Sequence, residues 1–330
     1  MALTAITHAG DNRKEASEND AHHWNSLIGR GVNLGNALEA PKEGVWGVQL
    51  EENYFALIAD AGFNSVRIPV RWSAHAAESA PYSIDKAFLA RVDWAVNQAL
   101  SRKLVAIINI HHYDEIFSSP EEHKARFLAL WKQLAEHYRD FPETLYFEIL
   151  NEPHDKLSNE LWNPYAAETI GVIRKSNPGR AIIVGPGQWN NVSQLKNLEL
   201  PPKDKNLIAT FHYYLPFKFT HQGANWVGGQ SETWLGTKWT GSAEDKQAVI
   251  AHLDEAVQWA KANDRPLFMG EFGAYSKADM ASRARWTSFL RTEAEKRNIT
   301  WAYWEFCAGF GVYDRNDKHW REELLGALLP

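Results

Sequence analysis

Cysteine is all but missing from this 330-residue chain. Cys307 stands alone, which excludes an internal disulfide and leaves the compartment open. No stretch approaches the roughly 20 apolar residues of a membrane-spanning helix. Basic runs are absent and the formal net charge is −6, which argues against nucleic acid and membrane as partners. No Gly-x-Gly-x-x-Gly turn follows an early strand, so an open dinucleotide-binding sheet has no signature here. His-Glu-x-x-His does not occur, and neither a Ser-His-acid set nor a phosphate loop has a local motif. Internal repeats and Pro/Gly/Ser linkers are also lacking.

Hydrophobic residues, by contrast, make up 45% of the chain, enough for a sizeable core. Residues 1–24 read as a polar N-terminal tail, expected to be poorly ordered. The tail holds no apolar signal core, so no export signal is expected in this chain. An extracellular location would require a precursor signal since removed, and a cytoplasmic one follows otherwise. Residues 25–330 are expected to form one domain, acting as a monomer.

From Leu27 onward, strand and helix signals alternate. Candidate strands are Leu27–Leu34, Ser65–Pro69, Leu104–Ile110, Leu145–Leu150, Ala181–Gly185, Leu207–Phe211, Leu267–Gly270 and Trp301–Phe306. They are short, rich in Val, Ile and aromatics, and not alternating, as strands buried on both faces are. Between them, Asp245–Ala262 carries Val249, Leu253, Ala256 and Ala260 at helical spacing, and Glu121–Arg139 carries Phe127, Leu130, Trp131, Leu134 and Tyr138. Eight such units predict an α/β fold of the (β/α)8 TIM barrel type. An open, doubly wound sheet is the alternative.

Functional groups of such a barrel come from the C-terminal ends of its strands. In order, those ends deliver Asn36 and Glu39; Arg67; His111 and His112; Asn151 and Glu152; Trp189; His212 and Tyr214; Glu271; and Trp304 and Glu305. Glu152 and Glu271 each close an apolar run. Two carboxylates facing one cleft, in a chain with 15 tryptophans, point to cleavage of a glycosidic bond. The competing reading makes them buried ion-pair acids that serve stability alone. His111, His112 and His212 are the available metal ligands, but adjacent histidines on a strand project in different directions. No metal and no cofactor are expected.

The set of strand ends resembles glycoside hydrolase family 5. The resemblance spans residues from about 28 to 328 and is closest to bacterial endo-β-1,4-glucanases, some of which also cut β-mannans. It rests on Gly31-Val-Asn-Leu-Gly-Asn-Ala-Leu-Glu-Ala-Pro41, Arg67-Ile-Pro69, Ile110-His-His-Tyr113, Ile149-Leu-Asn-Glu-Pro153, His212-Tyr-Tyr214, Gly270-Glu-Phe-Gly273 and Ala302-Tyr-Trp-Glu305, in the family's order. It implies Glu152 as acid/base, Glu271 as nucleophile and retention of configuration, hence a short carboxylate separation. Asn151 would bind the sugar 2-hydroxyl, and His212 would orient Glu152. Arg67 and Tyr214 would hold Glu271 ionised. Asn36, Glu39, His111, His112 and Glu305 would meet sugar hydroxyls.

Not every tryptophan needs a sugar. Trp94, Trp131, Trp259 and Trp286 sit in helical patterns and read as packing. Trp46, Trp72, Trp189, Trp226, Trp234, Trp239 and Trp304 are expected on the active face. An indole covers the flat C–H face of a pyranose, and Trp304 is the expected floor, with Trp226 a platform further out. The stretch from Tyr213 to Ser242 is long for a connection and should form one wall of the cleft. The reading is a retaining endo-β-1,4-glucanase acting on cellulose-type glucan, mixed-linkage glucan or glucomannan. A β-mannanase or dual enzyme is the alternative, and a non-catalytic carbohydrate-binding barrel the remote one.

Overall fold

The computed structural model describes residues 20–330. Its strands are β1 (Arg30–Asn33), β2 (Ser65–Ile68), β3 (Val105–Asn109), β4 (Leu145–Glu148), β5 (Ile182–Val184), β6 (Leu207–Tyr213), β7 (Leu267–Phe272) and β8 (Thr300–Tyr303). Each pairs in parallel with its neighbour, and β1 also pairs with β8 (Arg30 against Trp301, Val32 against Tyr303), which closes the barrel. The open-sheet alternative is thereby excluded. Every residue of β2 to β7 is buried, because helices cover the barrel outside and side chains fill it inside.

The helix signals hold with small boundary shifts, at Pro120–His137 and Ala243–Asn263. The N-terminal edge differs more. Leu27 and Ile28, expected in the first strand, end a helix, Ala21–Ile28, whose start overlaps the expected tail. Asp20 caps it by accepting from the backbone N–H of His22 and His23, and Gly29 stops it at a φ of 54°. The rest of the tail, residues 1–19, lies outside the described residues.

That helix plugs the bottom of the barrel. Trp24 and Ile28 pack with Val105, Ile107, Tyr146, Ile183, Ile208 and Phe268 in the lumen. Inward positions recur every second residue along a strand. Two residues beyond Ile107 stands Asn109, beyond Tyr146 Glu148, and beyond Ile208 Thr210, all fully buried. The lumen thus changes from apolar to polar toward the C-terminal ends.

Four buried tryptophans tie the outer layer to those ends. Trp72 donates its indole N–H to the carbonyl of Asn109 (3.0 Å), Trp131 to Ile149 (2.8 Å), Trp162 to Gly185 (2.7 Å) and Trp286 to Leu215 (3.0 Å). Trp72 and Trp239 were expected on the active face, and both are buried in the packing layer instead. A place in a connection does not reveal whether an indole turns in or out.

Candidate active site

Arg67 stands at the centre of the polar layer, with no exposed surface. Its five N–H groups all find acceptors. Nε and Nη2 grip the two oxygens of Glu148 (2.5 and 2.8 Å), and Nη2 also reaches Asn151 Oδ1 (2.7 Å). Nη1 donates to Asn33 Oδ1 (2.8 Å) and to Glu271 Oε1 (2.7 Å). A guanidinium can be buried only when its charge and its donors are both answered. Here Glu148 and Glu271 answer the charge, and the strand-end asparagines answer the remaining donors.

Glu271 lies on β7, 5% exposed. The Tyr214 hydroxyl donates to its second oxygen at 2.9 Å. Burial raises its carboxyl above the usual range, while Arg67 and the Tyr214 hydrogen bond pull it back toward the ionised form. A register shift in the β6–β7 ladder brings His212 level with Glu271.

Glu152 follows β4, its backbone in the left-handed region at a φ of 46°. Its side chain is 24% exposed, open enough for a ligand to reach. His212 Nδ1 lies 2.6 Å from its Oε1. Burial pushes the Glu152 carboxyl up to about 7, against the opposing charges of Arg67 and His154 and with help from the negative Glu148. The His212 imidazole is driven down to about 4, chiefly by burial, and is neutral at pH 7. One carboxylate oxygen of Glu152, one of Glu271 and a ring nitrogen of His212 lie within 4.8 Å of one another. Three such atoms could ligate a cation, but Arg67 already holds a full positive charge 2.7 Å from Glu271.

Other expected residues fall around this centre in different ways. Asn151 has its Oδ1 taken by Arg67, so its amide NH2 is the group left for a ligand. Trp304 stacks parallel to His111, ring centroids 5.7 Å apart at 11°, and His112 stands at 90° to His111. Trp189 and Trp226 are 52% and 57% exposed. Trp226 stands edge-on to Tyr275, and the backbone N–H of Tyr275 donates to Thr220, which ties the long β6 connection to the β7 loop. Asn36 stands half-buried at a φ of 63°.

Glu39 and Glu305 turn inward. Glu39 is 1% exposed and accepts from the backbone N–H of Asn36 and of Ala37. Glu305 is wholly buried and accepts from Cys307, Ala308 and Phe310. Burial raises them to about 8 and about 7, and each organises its own loop. Cys307 is free and buried.

Sequence reasoning missed Glu148, Asn109 and His154. Glu148 had a signal: a charge inside an apolar strand must find a partner. Asn109 had none beyond being polar at a strand end, yet it accepts from the Val70 N–H and touches His111 Nδ1 (3.1 Å).

The geometry agrees with what the chain is similar to. Endoglucanase H of Acetivibrio thermocellus is 39% identical over 92% of this chain. The chain spans only about a third of that protein (33%) and of Cellulase/esterase CelE from the same organism (35%). Among solved structures, Thermotoga maritima Cel5A in complex with mannotriose superposes with a TM-score of 0.92 at 53% identity, covering 94% of this chain and all of the other. The same protein with cellobiose gives a TM-score of 0.92 at 54% identity and the same coverage. A GH5-4 broad-specificity endoglucanase from Clostridium acetobutylicum, at 27% identity, still gives 0.84 over 95% of this chain and all of its own. The family model for Cellulase (glycosyl hydrolase family 5) matches residues 28–309, and the chain belongs to that family.

Proposed function

We propose that residues 25–330 are the catalytic domain of a retaining, endo-acting β-1,4-glucanase, active as a monomer because every site group comes from one barrel. The observation that carries this is that a carboxylate oxygen of Glu152 and one of Glu271 lie within 4.8 Å of each other, both against Nδ1 of His212 (2.6 and 3.5 Å). An inverting pair needs about 6.5–9.5 Å between carboxyl groups to seat a water, whereas a retaining pair needs about 5–5.5 Å. In the first step a Glu271 oxygen bonds to the anomeric carbon as the glycosidic bond breaks, and Glu152 gives its proton to the departing oxygen. In the second, Glu152 takes a proton from water, whose oxygen displaces Glu271 from the same carbon. Arg67 and Tyr214 favour the Glu271 carboxylate as nucleophile, and the raised Glu152 keeps a proton to give. The exposed indoles of Trp189 and Trp226 support an open cleft for an internal stretch of polymer. The endoglucanase names of the relatives favour glucan over a dedicated mannanase. Mannotriose bound to Thermotoga maritima Cel5A is the reason to keep mannan among the substrates tested.

The test is release of reducing ends from carboxymethyl cellulose, mixed-linkage glucan, glucomannan and galactomannan. Viscosity should fall early, and NMR should show the β-anomer first. Glu152→Gln should lose about 100-fold or more on these polymers, and Glu271→Gln should lose nearly everything. Turnover near wild type in either variant would sink the assignment, and cleavage of galactomannan alone would transfer it to a mannanase.

A further inference from the structure

His154 follows the acid/base by two residues and has no part in the mechanism above. Its position is nevertheless tightly defined. The Nδ1–H donates to the backbone carbonyl of Glu152 at 2.5 Å; a carbonyl can only accept, so this nitrogen carries the proton. The ring lies between Phe117, at 3.9 Å and 36°, and Trp189, at 4.9 Å and 13°. Phe117 is buried, and its carbonyl accepts from the N–H of Lys156 in the same loop. Trp189, in turn, donates its backbone N–H to Pro153 at 3.1 Å.

Both residues flanking this histidine's work are held in an unfavoured backbone. Glu152 has a φ of 46° and Trp189 a φ of 59°, with Gln188 and Asn190 on either side also positive. A non-glycine residue in that region is strained and persists only where its surroundings impose it. His154 touches both, through a hydrogen bond to one and ring stacking to the other. It is the side chain common to the β4 loop, which aims the carboxyl, and the β5 loop, which presents the indole.

We infer that His154 is a positioning residue that couples the acid/base to a sugar platform: its Nδ1–H fixes the Glu152 peptide while its ring seats the Trp189 indole. The inference rests on the glycosidase reading and adds that proton delivery and sugar stacking are set by one side chain. Its two contacts can be removed separately. His154→Phe keeps a ring between Phe117 and Trp189 and lacks the donor. His154→Asn keeps a short N–H donor and lacks the ring.

The experiment compares kcat/KM on a series of aryl cellobiosides, together with KM for cellopentaose, after circular dichroism shows each variant folded. A dinitrophenolate departs without a proton, whereas a poor leaving group depends on the acid. His154→Phe should lose about ten-fold or more on the poorest leaving groups and stay within about two-fold on the dinitrophenyl substrate. His154→Asn should keep the wild-type leaving-group dependence and raise KM for cellopentaose several-fold. An unchanged leaving-group dependence in His154→Phe would overturn the inference. So would equal losses on all substrates in both variants, or failure of both to fold, since either marks a merely structural residue. A wild-type protein that cleaves no member of the series would instead overturn the glycosidase reading beneath it.

Discussion

Glu152 and His212 share a short contact, and burial acts on them in opposite senses. It disfavours whichever form is charged, so it raises the carboxyl to about 7 and lowers the imidazole to about 4. Near neutrality one proton therefore lies between two uncharged partners, and the glutamate is the group that can pass it on. An acid catalyst works only while protonated. Above about pH 7 its protonated fraction falls roughly ten-fold per pH unit, so kcat/KM on cellopentaose should show a basic limb close to 7. His212 titrates too low to account for a limb there. A profile that stays flat to about pH 8.5 would mean that Glu152 is not the essential acid in the free enzyme.

At the scale of elements, the strand ends carry the site, and the helices hold the strand ends through tryptophan. Trp131 crosses from helix Pro120–His137 to the Ile149 carbonyl, three residues before Glu152. Trp131→Phe would keep most of the apolar packing and strand that buried carbonyl without its donor. The expected cost is about 1–3 kcal/mol in urea denaturation, with kcat/KM down several-fold as Glu152 loses its backing. Stability lost with kcat/KM unchanged would show that the buttress holds the fold and not the acid. The barrel itself was legible in the sequence, since strands buried on both faces form unbroken apolar runs and their ends announce themselves by abrupt polarity. Glu271, Glu152, Arg67 and Tyr214 could be found that way. Leu27 and Ile28 could not be separated from the strand that follows, because a short apolar run does not distinguish the end of a helix from a strand. Side-chain direction in connections was equally hidden: Trp72 and Trp239 turn into the packing layer, and Glu39 and Glu305 turn into their own loops.

Over the whole molecule, those inward carboxyls give stability a pH dependence whose sign can be worked out. Glu39 keeps its proton in the folded protein up to about pH 8, and Glu305 and Glu152 up to about 7. An unfolded chain releases the same protons near about 4.3. Between those limits the folded state binds more protons, so this contribution is complete at low pH and is lost as pH rises through the folded values. Buried histidines act the other way. His111, His112, His212 and His221 are all lowered, chiefly by burial. They remain neutral when folded, so their contribution is lost as pH falls below about 6.5 and is complete above it. The two trends compete in mild acid. Above about pH 6.5 the unfolded histidines lose their remaining protons within about one pH unit, while the carboxyls go on changing to about pH 8. Each pH unit of differential binding is worth about 1.4 kcal/mol, so Glu39 alone accounts for roughly 2 kcal/mol across that window. In a protein of this size that is several degrees of Tm. Calorimetry on the wild type should show Tm falling from about pH 6.5 to 8.5. Glu39→Gln, whatever its effect at pH 6.5, should flatten the slope, because an amide has no proton to release. A wild-type Tm that is level or rising across the window would refute the account, and an unchanged slope in Glu39→Gln would remove Glu39 from it.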